Sequence, residues 1–127
     1  MILDSSAIIA VVLREPGFEK IANEIADAGS LGIGGPTLAE TAIVLENRMS
    51  DGRSVLIQFL HEWHVQIIPF GESHWQEAAS AYSRFGKGRH KANLNFGDCM
   101  AYAVARLSRQ PLLCTGDDFS KSDIELA

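Results

Sequence analysis

Two short apolar runs in this chain end on acids: MILD at 1–4 and LLCTGDD at 112–118. Each is too short for a helix, and each reads as a buried strand whose polypeptide leaves the core at a carboxylate. Further strands are expected at Leu31 to Gly34 and Val65 to Phe70, with Ile124 to Leu126 as a short closing strand. Between them the spacing predicts helices over Ser5 to Leu13, Phe18 to Ala28, Pro36 to Met49, Arg53 to His61, Ser73 to Phe85 and Asp98 to Arg109. The last is apolar or small on nearly every side, as expected of a helix buried all round. Short strands separated by helices argue for an α/β sandwich built on a parallel sheet. The chain has 127 residues, enough for one domain that buries roughly two-thirds of its unfolded surface. No linker, repeat or low-complexity segment interrupts it.

The acids are not all where a solvated surface would put them. Asp4 and Asp117 sit at the carboxyl ends of predicted strands, where open parallel sheets bind ligands. Asp98 opens the most apolar helix, and Glu40 lies among Leu38, Ala39, Thr41, Ala42 and Ile43. Each has a local explanation. Asp4 and Asp98 fit as helix N-caps, Glu40 as the capping-box partner of Thr37, and Asp117 or Asp118 as turn residues. All of them nevertheless fall at strand ends and helix starts on one edge of a sheet. Two carboxylates ~4 Å apart repel by roughly 4 kcal/mol at an effective dielectric near 20. A converging cluster therefore needs protons or a cation, and all-oxygen ligands favour Mg²⁺ or Mn²⁺ over zinc. Ser6 and Thr115 are hydroxyls placed to orient those carboxylates or their waters.

The net charge of -5, from 16 acids and 11 bases, at first opposes a nucleic-acid partner. Setting four acids aside for a metal leaves 12 acids against 11 bases, or about -1. A basic loop then stands out. Arg84, Lys87, Arg89 and Lys91, with His90 among them, carry no intervening acid and suit phosphate contacts; a solvated loop is the plain alternative. No aromatic stacking motif for RNA is apparent. Cys99 and Cys114 read as reduced core thiols, and the four histidines show no metal-ligand spacing. The opening residues do not resemble a secretory signal and no run is long enough to span a membrane, so a cytoplasmic protein is expected. A receiver-like domain would need a central-strand Asp that is not evident. A HAD-like phosphatase would need DxDx[TV] where this chain reads DSSAI.

Four segments carry a resemblance: MILDSSAIIAVVLREPG, PTLAETAIVL, FGKGRHKANLNFGDCMAYAVA and LLCTGDDFSKSDI. In order and spacing, over essentially the whole chain, they resemble the PIN-domain ribonucleases and, within them, the VapC toxins of toxin–antitoxin pairs. The resemblance implies a single PIN-like domain over 1–127, with a central parallel sheet flanked by helices on both faces. It implies an acidic pocket for one or two Mg²⁺ or Mn²⁺ ions and endonucleolytic cleavage of single-stranded RNA. Asp4, Glu40 and Asp98 match the first three family acids. Asp117 matches the fourth, although some relatives carry Asn there and keep the next Asp, which is Asp118 here. On this reading Asp4 and Asp98 bind the ion, while Glu40 and Asp117 bind a second ion or position water. An activated water then attacks phosphorus to leave 5′-phosphate and 3′-hydroxyl ends. A VapB-type antitoxin and a homodimer are the implied partners. A catalytically degenerate PIN domain that binds RNA or protein is the alternative.

Overall fold

Successive residues of a strand face opposite sides of its sheet, and in a sheet covered on both sides each must find a core. Ile2 and Leu3 do so: Ile2 packs with Leu112 in one cluster, Leu3 with Ile33 and Leu113 in another. A computed structural model describes residues 1–127. In chain order its elements are β1 (Ile2–Leu3), α1 (Ser5–Val12), α2 (Phe18–Asp27), β2 (Gly32–Gly34), α3 (Gly35–Arg48) and α4 (Gly52–Glu62). There follow β3 (Gln66–Ile68), α5 (Glu72–Phe85), α6 (Phe96–Ser108), β4 (Leu112–Leu113) and a 3₁₀ turn at Phe119–Lys121. The four strands form one parallel sheet in the order β3-β2-β1-β4. Ile2 aligns with Gly32 on one side and with Leu112 on the other. The first core cluster joins the sheet to α5 and α6, through Ala78, Ala81, Tyr102 and Val104. The second joins it to α1–α4, through Ile8, Ile25, Leu45, Leu56 and Phe59. Helices thus cover both faces, as expected from the PIN-like resemblance.

The chain runs β1 to β2 to β3 in one direction, then returns past β1 to lay down β4. The reversal falls between β1 and β4, whose carboxyl ends are the position at which open α/β sheets bind ligands. Helix α6 closes one side. Ala101, Tyr102, Ala103, Val104 and Ala105 are all buried, and α6 lies so close to β2 that a Cβ on Gly34 would stand 2.6 Å from Val104 Cγ2.

Several local expectations are corrected. The Thr37–Glu40 capping box does not form. Helix α3 starts at Gly35 with Gly34 as its N-cap and no side-chain cap, so Thr37 lies inside the first turn. Its hydroxyl is buried without a partner, and Glu40 is left free of a capping role. Helix α6 starts at Phe96 rather than Asp98; Asn95 is the cap and Asp98 is the third residue. The strands are shorter than their apolar runs, and Leu126 makes only an isolated bridge to Leu112. The segment after α5 is not wholly solvated: Gly86 bridges Leu94, and Ala92 and Leu94 are buried.

Candidate active site

Asp4 is delivered by β1 and held by the helix that follows it. Its backbone is extended, as an N-cap requires, and its Oδ2 accepts from the Ser6 backbone N–H at 3.1 Å and the Ser6 hydroxyl at 2.5 Å. Ser6 Oγ in turn accepts from the Thr115 backbone N–H at 3.0 Å. One hydroxyl thereby ties the end of β1 to the chain leaving β4. Of the two hydroxyls expected to orient the acids, Ser6 bonds Asp4 directly, whereas Thr115 bonds Ser6 through its backbone N–H.

Glu40 comes from the second turn of α3. Its Oε1 accepts from Ser5 Oγ at 2.8 Å, a contact the sequence reading missed, although the Ser5-Ser6 pair after Asp4 is a visible signal for it. The other carboxylate oxygen lies against Gly97, where a Cβ would stand 2.3 Å from it and push the carboxylate aside. Gly97 therefore lets α3 bring a carboxylate onto the first turn of α6. Asp98 is one residue further on. Its Oδ2 accepts from the Asn95 N–H at 3.0 Å, and Asn95 Oδ1 accepts from the Asp98 N–H at 2.9 Å. This reciprocal box fixes Asp98 through one oxygen.

The electrostatics identify which acids face one another. Burial pushes the Asp98 carboxyl up to about 6, and the charges of Asp4, Asp118 and Glu40 push the same way against the Asn95 hydrogen bond. Asp4 is buried and is also raised, first by burial and further by Glu40, against its Ser6 hydrogen bonds. The Cys114 thiol is driven to about 12 by burial and by Asp4, Asp98 and Asp118. Asp118 thus acts on the cluster. Asp117 and Asp118 are both exposed, and the Asp117 carbonyl accepts from the Ser120 hydroxyl; of the two, it is the Asp118 charge that raises Asp98 and Cys114. Cys99 is also raised, to about 11, so neither thiol is a ready nucleophile at neutral pH.

None of these four acids has a Lys, Arg or His partner; the ion pairs lie elsewhere. A buried carboxylate, Asp4, with the half-buried Glu40 and Asp98 and the exposed Asp118 near it and no cation among them, fits a hard divalent ion. No three acidic, imidazole or thiol side chains converge as common ligands, so an ion would keep part of its shell as water, as Mg²⁺ usually does. Asp4 and Asp98 are the most enclosed donors, with Glu40 and Asp118 beside them.

The basic residues divide. Arg84 is engaged away from the acids, by Glu77 at 3.6 Å, Asp123 at 3.4 Å and the Tyr102 hydroxyl at 2.9 Å. Lys87, Arg89 and Lys91 remain exposed on the loop between α5 and α6.

The PIN domain family matches residues 1–124. VapC ribonuclease Mb2004c of Mycobacterium bovis is 42% identical over 127 residues, spanning 98% of this chain and 91% of its own. Ribonuclease VapC of Mycolicibacterium smegmatis is 38% identical over 125 residues, spanning 98% and 97%. Among solved structures, Mycobacterium tuberculosis VapC20, described as a sarcin-ricin loop cleaving toxin, superposes with a TM-score of 0.77 at 16% identity. The match spans 99% of this chain and 97% of that one. VapBC2 of Rickettsia felis, bound to a promoter DNA fragment, gives 0.76 at 14% identity, spanning 99% and 96%. At such identities the superpositions speak for the fold, and the full-length sequence matches speak for descent. The chain belongs to the PIN-domain family, among the VapC ribonucleases.

Proposed function

We propose that this protein is a Mg²⁺-dependent endoribonuclease, with Mn²⁺ as a substitute, and the toxin of a VapBC-type toxin–antitoxin module acting in the cytoplasm. The observation that carries the reading is the set Asp4, Glu40, Asp98 and Asp118. They are four acids without cationic partners, gathered where the sheet reverses direction. A bound divalent ion supplies charge stabilisation at a phosphoryl group and makes water a better nucleophile. Asp4 and Asp98 present the oxygens that hold it. Ser6 keeps Asp4 in place, the Asn95 box keeps Asp98 in place, and Ser5 aims Glu40 across the same space. Glu40 and Asp118 would hold a second ion or orient water, and hydrolysis would leave 5′-phosphate and 3′-hydroxyl ends. Lys87, Arg89 and Lys91 guide the phosphates of a single strand towards the acids.

The antitoxin reading draws on relatives solved as toxin–antitoxin complexes. It also draws on Ile43 of α3 and Ile57 of α4, which stand exposed on the packed α3–α4 pair and suit an apolar segment of a VapB-type partner. A homodimer completes the proposed assembly. No helix is long and apolar enough to cross a membrane.

The deciding experiment is cleavage of single-stranded RNA with and without Mg²⁺ by the wild type and by Asp4→Asn, Glu40→Gln and Asp98→Asn. Cleavage is expected only with the ion and only with the acids intact. Metal-independent cleavage, or full activity of the variants, would sink the reading. RNA binding without any cleavage by the wild type would favour a degenerate PIN domain.

A further inference from the structure

The chain between α5 and α6 carries Lys87, Arg89 and Lys91 with no acid among them, and none of the three enters an ion pair. Like charges this close along a chain repel, and an unrestrained loop would spread them. Here each cation has its own restraint. The Lys87 N–H donates to the Leu94 carbonyl at 2.8 Å, and the Lys87 carbonyl accepts from the Tyr82 hydroxyl at 3.4 Å. The Arg89 guanidinium lies over the Tyr82 ring, 5.8 Å from its centroid. Lys91 is bracketed by its two neighbours: His90 Nδ1 accepts from the Ala92 N–H at 3.0 Å and closes a ring around it. The imidazole is half-buried and stands edge-on to Phe85, with 5.2 Å between centroids. Ala92 is fully buried and its N–H has no backbone acceptor, so His90 is its one partner. Lys91 itself is exposed. The loop is joined to the acids at its end, where the Asn95 N–H donates to the Asp98 carboxylate at 3.0 Å.

We propose that His90 is the positioning residue for Lys91: acting as a hydrogen-bond acceptor and not as a charge, it fixes Lys91 on the loop that ends at Asp98, where Lys91 takes one phosphate of the RNA strand. The inference rests on the ribonuclease reading above. A bond from a side chain to the N–H two residues on is the geometry of an Asx turn. Nδ1 stands as many bonds from Cα as the Oδ1 of an asparagine, so the imidazole closes the same turn. It adds an apolar ring that packs on Phe85. The nitrogen that accepts from Ala92 carries no proton, which removes that atom from any contact with phosphate. Without the bond the Ala92 N–H would be buried unpaired, and the backbone of Lys91 would lose its only local tie. In the sequence a histidine among Arg89 and Lys91 reads as one more base of a basic run, which is why its acceptor role is visible only in the fold.

The test measures binding of a labelled single-stranded oligoribonucleotide of about ten nucleotides to full-length protein carrying Asp4→Asn. Asp4 makes no bond to the loop, so this background holds the strand uncut with the loop intact. There Lys91→Met should lower the slope of log Kd against log salt by about 0.7, the loss of one phosphate contact on a single strand. His90→Ala should lower it equally, and the double variant should bind no worse than Lys91→Met alone, as two residues acting through one contact must. His90→Asn keeps the acceptor and should restore the slope of the Asp4→Asn parent. Additive losses in the double variant overturn the proposal. Lys91→Met and His90→Asn decide it even if His90→Ala does not fold: an unchanged slope in the first, or a lowered slope in the second, overturns it. Any of these failures in a protein whose wild type cuts RNA with Mg²⁺ leaves the nuclease standing. A wild type that neither binds nor cuts RNA overturns the two together.

Discussion

Asp98 and Asp123 both meet α6, yet their carboxyl groups are pushed in opposite directions. Asp98, Tyr102 and Arg106 follow one another at four-residue spacing along that helix. At the first position Asp98 stands among Asp4, Glu40 and Asp118 and is raised to about 6. Further along, Asp123 accepts from the buried Tyr102 hydroxyl at 2.5 Å and pairs with Arg84 and Arg106, each at 3.4 Å. Burial is the largest single influence on Asp123 and pushes it up, but the Tyr102 hydrogen bond and the two guanidiniums together outweigh it and hold the group below its ordinary value. One helix thus carries a charge cluster balanced within the fold and another left unbalanced. The balanced one pins the closing segment of the chain to α5 and α6. The unbalanced one has a cost in the folded protein that a bound cation would remove.

The contrast can be broken most directly at Asp98. Asp98→Asn should reduce RNA cleavage by at least about a hundredfold, the scale on which an oriented electrostatic group contributes. It should at the same time raise the Tm of metal-free protein at pH 8. Because the folded carboxyl titrates near 6 and the unfolded one near 3.8, the wild type holds the extra proton only between those values. The Asp98 contribution to metal-free stability is therefore fully present below about pH 4 and is lost as the pH rises through 6. The gain from Asp98→Asn should vanish at pH 4, and thermal melts across this range would measure it. A variant that is less stable at pH 8 would show that Asp98 is structural like Asp123.

Ser6→Ala removes the hydroxyl that joins Asp4 to Thr115. Loss of such a support should lower cleavage and Mn²⁺ affinity by roughly 10–100-fold, read by single-turnover kinetics and titration calorimetry. Next in size is Asp123→Ala, which leaves the buried Tyr102 hydroxyl without its acceptor. It should destabilise the protein by about 1–3 kcal/mol in denaturant melts and leave Mn²⁺ affinity unchanged. A fall in Mn²⁺ affinity would erase the separation between the two clusters. The smallest difference concerns neighbours in sequence: Asp118→Asn should weaken Mn²⁺ binding several-fold, whereas Asp117→Asn should not. The reverse result would restore Asp117 as the fourth acid.

Much of this was readable before the fold. The strands at 1–4 and 112–115 were visible as apolar runs, and their acids as departures from a solvated surface. Local bonding was less legible. Thr37 and Glu40 have capping-box spacing, but α3 begins earlier, at Gly35, and the spacing finds no cap to serve. Asn95 rather than Asp98 caps α6, because a helix start depends on backbone geometry that several neighbouring polar residues can satisfy. Arg84 belonged by sequence to the basic loop. Its position at the end of α5 turns it towards Asp123, a residue 39 positions away.

Sequence alone determined the α/β alternation and the candidacy of Asp4, Glu40 and Asp98, because periodicity and strand-end acids are local properties of the chain. Tertiary structure decided which acids share a space. The Asp118 charge acting on Asp98 and the Ser5 contact to Glu40 both depend on how α3, α6 and the chain after β4 pack around one end of the sheet. Charge repulsion and burial act through space over a few ångströms, and spacing along the chain does not record those distances.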